Sequence, residues 1–77
     1  MNLTEYLKAL DYDSLINLAV KQEAIFAEIR GYASGITEKH LRKFDKETLI
    51  RCFKKNETVI KKHGRNTIEE YTNEQKT

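Results

Sequence analysis

The chain has no proline and no tryptophan, and only three glycines, one methionine and one cysteine among 77 residues. Without proline nothing compels a helix to break, and with so little glycine the backbone has few places to turn sharply, so the absences favour helices. The single cysteine, Cys52, cannot form an intramolecular disulfide and gives no sign of an oxidising compartment. Long apolar runs are missing too. The longest, Leu15 to Val20, is short and contains Asn17, which excludes a membrane span within it. The opening Met-Asn-Leu-Thr-Glu lacks the basic and apolar segments of a secretion signal, so a cytoplasmic location is expected.

What is present describes a folded domain. Hydrophobic residues make up 39% and charged residues 34%, with four Tyr and three Phe, a balance unlike that of a disordered chain. A chain of this length buries only about 60% of its unfolded surface, so stability is marginal and self-association would help it.

The strongest pattern is internal. Residues 7–25 and 41–59 are one stretch written twice, 34 positions apart. Identical pairs are Leu7/Leu41, Asp11/Asp45, Leu15/Leu49, Ile16/Ile50, Lys21/Lys55 and Glu23/Glu57, and conservative pairs include Lys8/Arg42, Leu10/Phe44, Asp13/Glu47 and Ser14/Thr48. The period invites comparison with tetratricopeptide repeats, but the Trp-Leu-Gly-Tyr-Ala-Phe-Pro pattern of that family is missing, and the helices predicted here are of unequal length.

Helix chemistry explains the repeated block. Asp11 as N-cap accepts from the free amides of the following turn, Asp13 lies where the helix dipole favours negative charge, and Leu10 can pack on Leu15 as a hydrophobic staple. Asp45, Glu47, Phe44 and Leu49 repeat each part. The sequence therefore predicts an all-α fold, a small four-helix domain over 1–66 built from two short-helix/long-helix units, 2–35 and 36–66, with helices at about 3–10, 12–31, 38–43 and 46–63. Asn2 or Thr4 starts the first helix and Thr37 the third, Gly31 and Gly35 frame the connector, and Gly64 ends the fourth. Residues 67–77 read as an acidic, partly frayed tail with a capping box from Thr67 to Glu70 around Ile68 and Tyr71. At helical spacing Leu15, Leu18, Ala19, Gln22, Ile25, Phe26 and Ile29 form one core stripe, facing Leu49, Cys52, Phe53, Asn56, Val59 and Ile60.

The two copies diverge in charge. Residues 1–35 hold three Lys/Arg against five Asp/Glu, 36–66 hold ten against four, and 67–77 hold one against three, so a net charge of +2 conceals segments of −2, +6 and −2. Lys39, Arg42, Lys43 and Lys46 precede the last long helix, and Arg51, Lys54, Lys55, Lys61 and Lys62 lie within about 120° of arc opposite its apolar stripe. Such a face suits a DNA or RNA phosphate backbone without sequence specificity, an acidic protein surface, or simple solvation. It carries no aromatic for base stacking. The other long helix diverges toward apolarity: Ile16, Val20, Ala24 and Ala27 stand where the second copy has Ile50, Lys54, Thr58 and Lys61. This second strip is covered either by Leu3, Tyr6, Leu7 and Tyr71 or by a partner, and its alanines would permit close approach in a homodimer.

Catalytic and metal chemistry find little support. His40 and His63 are far apart, Cys52 falls on the apolar stripe, and neither a zinc spacing, a calcium loop nor a P-loop is present, so no cofactor, no metal and no enzymatic activity are expected. The leading expectation is an accessory protein of nucleic-acid metabolism that meets a phosphate backbone through its basic helix, and itself or a larger enzyme through the apolar strip. The alternative is a protein-binding adaptor or inhibitor, of the size and lysine-rich style that phages and mobile elements encode, with no nucleic-acid contact.

Overall fold

A computed structural model describes residues 2–75. Among them the backbone forms five helices and no strand: α1 (Leu3–Ala9), α2 (Tyr12–Arg30), α3 (Glu38–Leu41), α4 (Lys46–Lys62) and α5 (Thr67–Gln75). None of the described helices is long and apolar enough to cross a membrane.

The two long helices begin in the same way. Asp11 and Asp45 are extended and accept from the amides of Ser14 at 2.7 Å and Thr48 at 2.8 Å. Hydrogen bonding from the side chain and amide of Ser14 holds the Asp11 carboxyl below its ordinary value, and Thr48 does the same for Asp45. Each cap thus satisfies an amide that the helix itself leaves unbonded. At the other end α2 stops at Gly31, whose φ of 83° suits a residue without a Cβ, and its amide reaches the carbonyl of Ala27. Asn2 caps α1, accepting from the Glu5 amide at 2.9 Å.

Lateral hydrogen bonds set the direction of packing. The Tyr12 hydroxyl donates to the carbonyls of Phe44 at 2.6 Å and Arg42 at 3.2 Å, while Gln22, three turns on, donates to the carbonyl of Phe53 and to Glu57. Contacts that advance together along both helices make α2 and α4 parallel. The pairs Lys21–Glu74 and Glu28–Arg65 advance in opposite directions, so α5 lies antiparallel on α2. The core is shared by Leu7 of α1, Leu15, Ile16, Leu18 and Ala19 of α2, Leu41 of α3, and Leu49, Ile50 and Phe53 of α4, with Leu3, Tyr6, Leu10, Ile68 and Tyr71 half-buried around it.

Several expectations are corrected. Residues 67–75, expected as a frayed turn, form α5, because groups from earlier in the chain meet its first turn: Glu57 receives the Thr67 amide at 2.8 Å, and Arg65 forks onto both oxygens of Glu70. Asn66, not Thr67, supplies the side-chain cap, accepting from the Glu69 amide at 3.1 Å while its own amide donates to Glu70. The remainder of the expected tail, residues 76 and 77, lies outside the described residues. The third helix ends at Leu41 rather than 43, since the chain must turn from Arg42 to Phe44 to reach the Asp45 cap. The core face of α4 is rotated from the expected stripe: Ile50 and Glu57 are buried, whereas Cys52 and Val59 are exposed. Packing of α1 against α4 brings Leu7 into one cluster with Ile50 and draws the buried arc toward that side. Phe44, expected as a staple on Leu49, is 45% exposed, although both line one shallow depression.

Candidate nucleic-acid interface

The rotation of α4 decides what its outer face offers. Leu49, Ile50, Phe53, Glu57 and Ile60 point inward, and Arg51, Lys54, Lys55, Thr58, Lys61 and Lys62 are exposed. At about 100° per residue Lys54 and Lys61 lie on the flank beside buried Ile50, Arg51, Lys55, Thr58 and Lys62 lie on the outermost part of the arc, and exposed Cys52 and Val59 close its other flank. The Thr58 hydroxyl turns back to the Lys54 carbonyl at 3.2 Å. Lys39 and Lys43, from the turns before α4, are exposed as well.

The expected basic residues divide into two groups. Arg42 is committed to the fold: its guanidinium meets Asp13 at 2.9 Å and Glu38 at 3.1 Å, and these two carboxylates raise its pKa. Lys46 is likewise spent, donating to the carbonyl of Lys8 at 2.8 Å. Among the described residues, Lys39, Lys43, Lys54, Lys55, Lys61 and Lys62 make no ion pair with a carboxylate. Arg51 makes no such pair among the described residues either, and its charge contributes to lowering the Asp45 carboxyl. The cations left over are therefore mostly those facing away from the core.

The expected association strip is brought together only in part. Ile16 is fully buried, inside the core cluster with Leu7 and Leu41, and belongs to the fold rather than to an external face. Val20, at 39% exposure, and Ala24 remain outside with half-buried Ala27, and together with Ala33, Gly35 and Ile36 of the α2–α3 connector they line a shallow apolar trough. Glu23 stands on its rim and accepts from the Ser34 hydroxyl at 3.0 Å. At the end of α2, Arg30 lies over Phe26 at 5.1 Å and Tyr32 at 5.5 Å from the ring centroids.

The histidines have local structural partners. The Thr37 amide donates to Nδ1 of His40 at 3.2 Å, so this ring caps α3, while Nδ1 of His63 lies 3.1 Å from the Val59 carbonyl at the end of α4. Among the described residues no three His, Cys, Asp or Glu side chains are grouped to hold a metal ion.

The most consequential polar group was absent from the expected set. Glu57 is 1% exposed, and its two oxygens accept from Gln22 at 3.1 Å and from the Thr67 amide at 2.8 Å, tying α2, α4 and α5 at one point. Arg65 makes a second tie, with Glu70 and Glu28, which raise its pKa, while Glu70 is in turn held below its ordinary value chiefly by Arg65. A sequence signal for Glu57 existed, since it falls about 80° from Leu49 on the helix wheel, next to Ile50.

Compared with known protein families, characterised proteins and solved structures, the chain matches none.

Proposed function

We propose that the protein is a non-enzymatic accessory factor of nucleic-acid metabolism that binds the phosphate backbone through the outer face of α4. The observation that carries this reading is the separation of cations already neutralised within the fold, Arg42 and Arg65, from the exposed lysines Lys54, Lys55, Lys61 and Lys62, which lie together on one helical face and pair with no carboxylate among the described residues. Each such lysine that meets a phosphate releases condensed counterions. Affinity should then fall with a log–log salt slope near −0.9 per phosphate on duplex DNA, with four or five contacts geometrically available. Fluorescence anisotropy across a salt series tests this. A flat response at low ionic strength with single-stranded, duplex and forked DNA would refute it.

The trough of Val20, Ala24, Ala27 and Ile36 supports a second contact, with another copy or with a larger enzyme acting on the same nucleic acid. Pull-down before and after nuclease treatment separates the two modes. Partners retained after nuclease point to a protein-directed adaptor, and partners lost point to the backbone reading.

A further inference from the structure

The outer face of α4 carries no aromatic ring, but the corner that leads into it does. Phe44 is left 45% exposed at the edge of the shallow depression between α2 and α4, which Cys52, Asn56 and Glu23 also line. Asn56 is half-buried, and its side-chain amide has no hydrogen-bond partner among the described residues. Cys52 and Val59 continue an exposed apolar line along this flank of α4. Lys55 and Lys62 follow three positions after each of them and so lie about 60° around the helix from that line. Lys43 adjoins Phe44 in the chain. These three lysines are exposed and pair with no carboxylate among the described residues. A ring, an unused amide and a row of free cations thus share one flank of the molecule.

We infer that this flank binds single-stranded nucleic acid, with an unpaired base stacked on Phe44, its edge turned toward Asn56, and the strand's phosphates following Lys43, Lys55 and Lys62. This rests on the nucleic-acid reading above and adds to it the form of the strand and the mode of contact. Binding of single strands without sequence preference joins a cationic track for the backbone to aromatic rings on which bases stack, and every base has a π-face to offer. In a duplex those faces are already stacked on their neighbours, so Phe44 has nothing to take up. The Asn56 amide holds donors and an acceptor, and the edge of an unpaired base offers the complement of each. Glu23, on the α2 side of the depression, repels phosphate, which leaves the backbone to the lysine side and the base over the depression. Together with Asn56 it also breaks the apolar floor that an acidic amphipathic helix would need.

The test uses Phe44→Trp, which gives the chain its only tryptophan. Its fluorescence is followed while a mixed-sequence single-stranded DNA, the corresponding duplex, an abasic single strand of equal length or heparin is added, and anisotropy gives the affinities. Stacking predicts quenching by the base-bearing single strand alone, and an affinity for it about tenfold above those for the duplex and the abasic strand. Phe44→Ala should lower single-strand affinity about tenfold and leave the salt slope unchanged, because the ring neutralises no phosphate, and Asn56→Ala should lower it about fivefold. Lys55→Ala should instead reduce the single-strand salt slope by about 0.7. Equal affinity for single strand, abasic strand and duplex, without quenching, overturns base stacking and leaves backbone binding standing. No binding to any probe overturns both. Quenching by an acidic amphipathic peptide and by no oligonucleotide also overturns the inference, and assigns the depression to a protein partner.

Discussion

Glu23 and Glu57 stand at matching positions of two stretches similar in sequence, yet one sits on a surface rim beside Ser34 and the other is sealed inside among three helices. The same divergence runs along the whole of both long helices. α2 is the central element, with α3, α4 and α5 packed around it, and it needs apolar or neutral residues over most of its circumference. α4 packs on α1 and α2 along its inner side and carries lysine on the other. Position in the fold, more than the repeated residues, settles which copy faces inward and which faces solvent.

The sharpest way to break this comparison is to remove both glutamates in turn. Glu57→Ala strands the buried Thr67 amide and leaves the Gln22 amide group only its bond to the Phe53 carbonyl, and should cost about 2–4 kcal/mol, measured by urea denaturation. Glu23→Ala should stay within about 0.5 kcal/mol, because its partner is a surface hydroxyl. Similar losses would show that the two sites are not as different as their burial implies.

Charge reversal of Lys54, Lys55 and Lys62 to Glu should weaken nucleic-acid binding by about two orders of magnitude while circular dichroism remains unchanged. The three side chains face away from the core, so loss of helicity would contradict that placement.

The caps are where the copies agree, and they should respond alike. Asp11→Ala and Asp45→Ala should each lower the thermal midpoint by about 5 °C. Acid sharpens the point. Both carboxyls are depressed in the folded protein, so their contribution is fully present above their ordinary value of 3.8 and is lost as pH falls through the lower folded values. Asp11→Asn with Asp45→Asn keeps a competent cap that does not titrate, and should flatten the acid limb of stability measured between about pH 2 and pH 5.

The smallest effect is expected at Val20→Lys, which writes the second copy's Lys54 into the first. Partial exposure should keep the change in stability within about 0.5 kcal/mol. In sedimentation the variant should be monomeric, and a wild type that is itself monomeric at high concentration would remove self-association from the trough.

Much of the fold was legible in the sequence where local chemistry decides it. Asp11, Asp45 and Gly31 announce helix ends through hydrogen bonds made within a few residues, and the four helices expected before residue 66 lie close to where they form. Long-range partners decide the rest. α5 is poor in apolar residues, and the amide of its first residue is held by Glu57 from another helix, which no local pattern reveals. Ile16 was expected under cover from Leu3, Tyr6, Leu7 and Tyr71 or from a partner, and it shares the core with Leu7 and also with Leu41, which lies beyond the α2–α3 connector. On the basic face the exposed positions of the lysines followed from periodicity alone, but the withdrawal of Arg42 depended on Asp13, 29 residues away.

The bond from the Thr67 amide to Glu57 has a consequence for the timing of local motion. An amide in the first helical turn ordinarily lacks an intrahelical partner and exchanges its proton readily with solvent. This one is bonded to a carboxylate inside the protein, so its exchange requires α5 to leave α2 and α4 together. Its exchange rate should follow the opening of the central helices rather than fraying at the chain end, which places the last helix in the same cooperative unit as the core.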